Sequence, residues 1–228
     1  MENELISKED VDEMMKYDDI NQENVVEKYD AIATTYDHTV NDICGYPDPA
    51  KITEAILKYE IPKDAPIIDL GCGTGLVGEC LSKEGYTNVV GIDASPEMLK
   101  EAEGRGYKEL KQGFLCKDEL PEDIAGKFVV ATSSGLMSHF LSPEVLIDHL
   151  KCLKPKESED DKRYIIFATR EEFMEKFGYK EKLKELEEEG TYKFIEKFTW
   201  TRYEKLLSVG GVVGTFKTLE ACCYVYSV

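Results

Sequence analysis

The stretch DLGCGTGLVG, residues 69 to 78, places four glycines just behind a carboxylate and admits two chemical readings. From Gly73 it is a G-x-G-x-x-G phrase, the spacing that seats a dinucleotide pyrophosphate on a helix N-terminus. From Asp69 it is D-x-G-x-G-x-G, alternating glycines preceded by an anion. Phosphates call for backbone N–H groups, a helix dipole and no competing negative charge. Here Asp69 would end a strand beside the loop, and the loop holds no Lys or Arg, which excludes a Walker loop. A cationic ligand suits the carboxylate. S-adenosylmethionine, with a sulfonium, an ammonium, one carboxylate and no phosphate, meets that requirement. The glycines would permit a tight strand-to-helix turn and let the backbone lie against the amino-acid part and ribose of that ligand. Asp93, twenty residues beyond Gly73, can accept from both ribose hydroxyls. Nicotinamide enzymes share that feature, so Asp93 alone does not discriminate.

Positioning such a loop takes a parallel sheet, and the flanking sequence supplies one. PIIDL (66 to 70), NVVGID, YKELKQGFL, KFVVATSS and RYIIFAT read as five strands. LVGECLSKEG, SPEMLKEAEG and SPEVLIDHLKCL read as the helices between them, the last two opening on Ser-Pro, with Ser95 as N-cap and Pro96 at the first helical position. EEFMEKFGYKEKLKELEEEG predicts one long charged helix, and TYKFIEKFTWTRY and EACCYVYSV add two strands. Upstream, VVEKYDAIATTYDHTV (25 to 40) and AKITEAILKY predict two helices joined by a turn at GYPDP. Alternation of this kind implies a doubly wound α/β fold with a seven-stranded sheet and a helical N-terminal cover. Residues 25–228 are expected to form one domain. Residues 1–24 are expected to form an acidic helix, opened by a capping box at Ser7-Lys8-Glu9-Asp10, or a mobile tail. KPKESEDDKR (154 to 163) reads as a solvated loop and VGGVVGTF (209 to 216) as a turn.

Bulk composition narrows the partners. The 228 residues carry a formal charge of −18, from 28 basic against 46 acidic side chains, and residues 1 to 30 alone hold eleven Asp or Glu against three Lys. A nucleic-acid footprint needs clustered Lys and Arg, so nucleic acid and anionic membranes are not expected partners. An acidic surface favours small cationic acceptors by attraction. Seven cysteines, an odd number without C-x-x-C pairs and with no leader peptide ahead of them, fit reduced thiols and a cytoplasmic location. Three histidines without paired spacing give no metal site. The sequence leaves the oligomeric state open.

The sequence of strand, D-x-G-x-G-x-G, helix, a strand ending Gly91-Ile92-Asp93, then ASPEML resembles the class I S-adenosylmethionine-dependent methyltransferases. DLGCGTG is similar to their first motif and GIDASPEML to their second. YDAIATTYD (29 to 37) resembles the entry helix of many small-molecule members. SSGLMSHFLSPEVL and ATREEF resemble the small Williams-Beuren-region methyltransferase family. The likeness covers roughly residues 25 to 173. It implies backbone contacts from Gly71, Cys72, Gly73 and Gly75 to the methionine end, with Asp69 near the ammonium. Asp93 would hold the ribose, Ala94 and Met98 would border the adenine, and Leu115 and Cys116 would flank it. Ser133 and Ser134 would lie beneath the sulfonium, and Tyr29 and Tyr36 would cover the cofactor. Where many members place an Asp to accept the adenine amino group, this chain has Leu115.

Methyl transfer from a sulfonium is an in-line displacement in which alignment supplies much of the catalysis, and a general base is optional. His139, after the fourth strand, matches a His of the resembled family and is a candidate base or acceptor contact, the plainer alternative being an exposed loop residue. Arg170, at the end of the fifth strand, could fork onto an acceptor carboxylate or pair locally with Glu171 or Glu172. Asp37 and His38 read as helix-end residues. Phe194, Phe198, Trp200 and Tyr203 read as sheet packing. Three rivals stay open: a non-catalytic cofactor-binding subunit, a nicotinamide-dependent reductase, and an aminopropyl transferase.

Overall fold

The computed structural model describes residues 20–158, 161–202 and 219–228. The acidic segment around Ser7, the turn at 209–216 and Tyr203 lie outside the described residues. Helix α1 (Val25–Asp37) runs into a π-helical turn (His38–Cys44), and α2 (Asp48–Lys58) follows. Strand and helix then alternate: β1 (Ile67–Leu70), α3 (Leu76–Lys83), β2 (Val89–Asp93), α4 (Pro96–Ala102), β3 (Glu109–Gln112), β4 (Val130–Ser134), α5 (Val145–Cys152) and β5 (Tyr164–Arg170). Helices α6 (Glu171–Lys176) and α7 (Tyr179–Glu188) precede β6 (Lys193–Arg202) and β7 (Leu219–Ser227).

The seven strands form one sheet in the order β3-β2-β1-β4-β5-β7-β6. Strands β1 to β5 pair in parallel, while β7 runs antiparallel to both β5 and β6. Every residue of β1 and β5 is buried, because a parallel strand covered on both faces needs apolar side chains on both. Alternate residues feed two cores. Ile68, Leu70 and Phe167 face α5 and α7, whereas Ile67, Val89 and Ile166 face α2 and α3. The strand order reverses between β1 and β4, and at that switch point the carboxyl ends of an open α/β sheet leave a crevice for ligands.

Two expectations need correction. The charged segment 171 to 190 is not one helix: Gly178, at φ +79°, breaks it into α6 and α7. The break lets Tyr179 turn inward, where its buried hydroxyl meets the Ser138 N–H (3.1 Å) and the carbonyls of Ser138 and Leu141 (both 2.9 Å). The Ser-Pro start expected at Ser142-Pro143 holds only in part, since α5 begins at Val145. At Ser95-Pro96 it is complete, the Ser95 hydroxyl accepting the Met98 N–H at 3.1 Å.

Candidate active site

The loop after β1 lies on the carboxyl edge of the sheet and forms one wall of a cleft of about 760 Å³, its open mouth included. Gly73 turns at φ +53°, and a methyl group in place of its hydrogen would meet no protein atom within 4 Å. The space that a side chain would take at Gly73 is therefore open cleft. The Gly73 N–H donates to Asp93 Oδ2 (2.8 Å) and the Ser95 N–H donates to Asp93 Oδ1 (2.9 Å), so two backbone donors hold the carboxylate in place. Burial raises the Asp93 pKa above its ordinary value. Among the described residues no Lys or Arg lines this cleft, so it offers no side-chain cation to a pyrophosphate.

The last glycine of the phrase has a separate task. The ring of Tyr107 lies over Gly78, where an added methyl would come within 2.3 Å of it. The Tyr107 hydroxyl accepts the Gly78 N–H (3.0 Å) and donates to Asp69 Oδ2 (2.6 Å). Asp69 is fully buried behind the loop, where desolvation pushes its pKa up to about 7. It fastens the first strand to Tyr107 and does not line the cleft.

Helix α1 explains the spacing of YDAIATTYD. Residues seven apart fall on one helical face, two turns apart. Tyr29 and Tyr36 face the cleft, with ring centroids 6.3 Å apart. The two aspartates reach the loops on either side of it. Asp30 Oδ1 accepts from the Ser95 hydroxyl and from the Glu97 N–H, at the start of α4. Asp37 Oδ1 accepts from the Thr74 hydroxyl (2.5 Å), in the glycine loop, and Asp37 Oδ2 pairs with Arg105. Residue-by-residue reasoning overlooked both as cleft-builders. The signal was present in the repeated Tyr-Asp pair. His38 instead pairs with Asp42 on the surface.

Of the residues expected around the cofactor, Tyr29, Tyr36, Gly71, Gly73, Asp93, Ala94, Met98, Leu115 and Ser134 line the cleft. Phe114, not anticipated, lines it next to Leu115. Gly75 begins α3 and packs against Tyr107 and Ala102, and Cys72 turns its sulfur toward Gly91. Cys116 adopts φ +63°, unusual for a side chain, and is held there by its N–H donating to Asp148 Oδ2 (2.8 Å). Neighbouring strand residues point to opposite faces. Ser134 thus reaches the cleft side and shares a hydrogen bond with the Tyr46 hydroxyl (2.8 Å). Ser133 is buried on the other face, bonded to His149 Nε2 (2.9 Å). His149 Nδ1 donates to the Val145 carbonyl, and desolvation lowers the pKa of the ring to about 4.

A second chamber of about 450 Å³, its open mouth included, adjoins the first and shares Tyr29, Tyr36, Gly135 and Phe140 with it. His139 and Arg170 both line this chamber. His139 Nε2 lies 2.8 Å from the Ile20 carbonyl. A carbonyl only accepts, so Nε2 carries the hydrogen and Nδ1 is the basic nitrogen of the neutral ring. Arg170 lies over the Phe173 ring (5.0 Å) and 3.9 Å from Glu172; Glu171 pairs with Lys180 and Lys197 instead. Arg202 at the end of β6, absent from sequence-based expectation, completes the chamber wall. It forms a buried ion pair with Asp48, which also accepts from the Trp200 indole (3.1 Å). Among the described residues no cluster suits a metal ion, and no helix is long and apolar enough to cross a membrane. All seven cysteines are unpaired.

Residues 67–156 match the methyltransferase domain family. Human methyltransferase-like protein 27 is 32% identical over 130 residues, 56% of this chain and 52% of that protein. The bovine 18S rRNA (guanine-N(7))-methyltransferase is 57% identical over 44 residues, 18% of this chain and 15% of its own length. The chain thus spans about half, or less, of the curated relatives it matches. Among solved structures the 4+2 cyclase SpnF superposes with a TM-score of 0.65 at 12% identity, over 91% of this chain and 97% of that one. Residues 67–156 thus match a methyltransferase domain, and the sheet order and glycine loop resemble those of the class I S-adenosylmethionine-dependent methyltransferases. S-adenosylmethionine is the cofactor of that class.

Proposed function

We propose that this chain binds S-adenosylmethionine in the cleft between the glycine loop and Asp93 and transfers its methyl group to a small molecule seated in the second chamber. The observation that carries this reading is the junction of the two cavities at Tyr29, Tyr36, Gly135 and Phe140: among the described residues one cavity lacks any side-chain cation for a phosphate, and the other holds His139, Arg170 and Arg202. When bound, the cofactor supplies an electrophilic methyl: the acceptor atom bonds to the methyl carbon, the carbon–sulfur pair stays on sulfur, and S-adenosylhomocysteine leaves. The chain's own residues orient and enclose. Asp93, fixed by two N–H donors, presents its carboxylate edge to the ribose hydroxyls. The backbone at Gly71 and Gly73 lets the methionine end approach, while Leu115, Phe114 and Met98 offer apolar surface to the adenine. Tyr29 and Tyr36 cover the place where the cavities meet. His139 stands in the acceptor chamber with Nδ1 as its basic nitrogen, suited to take a proton from an acceptor that must lose one.

A chamber of this size and the acidic composition support a small acceptor over a nucleic acid, although one curated relative is named for rRNA. Residues 25–228 act as one catalytic unit in this reading, and the reduced cysteines suit the cytoplasm. The cyclase neighbour shows that the fold also hosts another reaction, so activity has to be measured. A screen of small metabolites with methyl-labelled cofactor, comparing wild type with Asp93→Ala, tests the proposal. The expected result is labelled product from wild type only, with cofactor affinity lowered about 100-fold by the substitution, the scale of losing hydrogen bonds to a charged group. Equal labelling by both proteins sinks the site assignment. Tight calorimetric binding of a nicotinamide cofactor in place of S-adenosylmethionine sinks the reaction class.

A further inference from the structure

Among the described residues only Glu60 and Cys116 carry a side chain on a left-handed backbone, at φ +51° and +63°. Glu60 comes just after α2, where a left-handed residue is a common way to end a helix. Cys116 ends no helix. It lies in the loop between β3 and β4, directly behind Phe114 and Leu115, which line the cofactor cleft. A side chain in this conformation crowds its own backbone, so the conformation persists only where the surroundings impose it. Three ties hold the loop. The Gly113 N–H donates to the Asp93 carbonyl (3.0 Å), and the Phe114 N–H donates to Asp118 Oδ2 (3.0 Å), a bond made within the loop itself. The third tie is long-range: the Cys116 N–H donates to Asp148 Oδ2 (2.8 Å), on α5. The Cys116 Sγ also lies 3.7 Å from the Ser142 carbonyl, just ahead of that helix. Asp148 is buried at 5% exposure, and its other oxygen meets Lys151 one turn along (3.2 Å). Helix α5 is anchored in the core by Val145, Leu146 and Cys152, so the carboxylate is carried on a packed element. A bond from a backbone N–H to a carboxylate is roughly twice as strong as one between neutral groups, which suits it to hold a strained turn.

We infer that Asp148 is a positioning residue for cofactor binding: from α5, through the Cys116 N–H, it fixes the left-handed turn that sets Phe114 and Leu115 against the adenine. This deepens the cofactor site of the methyl-transfer reading and rests on it. Asp148 does not line the cleft, so its action on the ligand passes through the loop. Without the carboxylate, Cys116 relaxes toward negative φ and the two residues ahead of it shift. The effect falls on the nucleoside half of the ligand, because the methionine end meets Gly71 and Gly73, on the loop after β1. Glycine takes positive φ without the crowding of a side chain, so Cys116→Gly makes the turn independent of Asp148.

The test is calorimetric titration of the full chain with S-adenosylhomocysteine, joined by ligand-observed NMR with its two fragments, adenosine and L-homocysteine. Asp148→Ala is expected to weaken S-adenosylhomocysteine and adenosine by the same factor, at least tenfold, the scale of a lost bond to a charged group, and to leave homocysteine within twofold. Asp148→Asn keeps an oxygen that can accept the Cys116 N–H and is expected to lose less than threefold. Cys116→Gly is expected to stay within threefold of wild type, and adding Asp148→Ala to it to cost no more than a further threefold. A residue that only stabilised the fold would lower the thermal midpoint, weaken both fragments or neither, and show no such non-additivity. Asp148→Ser, whose side chain is shorter, replaces Asp148→Ala if that variant does not fold. Adenosine affinity unchanged in the folded Asp148 variant, equal losses for adenosine and homocysteine, or a full loss that persists in the Cys116→Gly background would each overturn the inference while leaving the cofactor site standing. A wild-type chain that binds none of the three probes brings down the cofactor site, and the inference with it.

Discussion

The two cavities of this protein are built from sequence in different ways. The first cleft is assembled largely from loops that follow consecutive strands, so Gly71 and Gly73, Asp93 to Ser95 with Met98, and Gly113 to Leu115 reach it from three successive turns of the same winding. The second chamber draws Tyr29, Tyr46, His139, Arg170 and Arg202 from widely separated segments, which only the assembled fold brings together. Their buried carboxylates differ as well. Asp69, behind the cleft, faces a neutral tyrosine, while Asp48, behind the chamber, faces an arginine. A cleft made of backbone and local turns depends on chain geometry. A chamber made of distant side chains depends on charge pairs that hold far-apart segments in register.

The strongest way to break that contrast is at Asp48. Asp48→Asn removes the carboxylate charge paired with the buried Arg202 and is expected to cost about 3–5 kcal/mol of folding stability, read by denaturant unfolding. In the protein that remains folded, cofactor affinity should stay within twofold. A parallel loss of cofactor binding would show that the cavities are not separately built.

Asp69 sharpens the contrast through pH. Its folded pKa of about 7 stands above the unfolded value of 3.8. The stability it contributes is therefore full below pH 3.8 and lost as pH rises through about 7, on the order of 4 kcal/mol over the window. His149, lowered from 6.5 to about 4, works the other way, costing stability as pH falls across that interval. Unfolding curves from pH 4 to 8 should show wild type losing stability relative to Asp69→Asn on the rise; parallel curves would remove the burial argument.

Gly78→Ala pushes a methyl into the Tyr107 ring and is expected to cost about 1–3 kcal/mol by thermal unfolding, as overpacking does. Smallest is Asp37→Asn, which weakens the hold of α1 on Thr74 and Arg105. A rise of a few-fold in cofactor Kd, about 1 kcal/mol, is expected with little change in acceptor binding. A larger effect on the acceptor would place Asp37 in the wrong cavity.

Much of the cleft was legible in the chain because each part is local. A glycine turn, an acid closing a strand and a Ser-Pro helix start are each specified within ten residues, and β1 and β5 announce themselves as apolar runs because both their faces are covered. Other features were hidden by degrees. Ser133 and Ser134 are indistinguishable in sequence, and strand alternation alone sends one to the core and the other to the cleft. The charged run from Glu171 reads as one helix until the burial of Tyr179 gives Gly178 its purpose. Arg202 closes a strand read for its aromatic residues, and its partner Asp48 lies 154 positions away.

The sequence by itself determined the winding of the sheet, the glycine turn and the carboxylate across from it, since short-range geometry and hydrophobic period decide those. The tertiary structure alone decided that Asp48 meets Arg202, which serine faces the cleft and which distant side chains line the second chamber. Those depend on strands β4, β5, β6 and β7 being laid side by side, and no local pattern encodes which distant side chains that pairing will bring into contact.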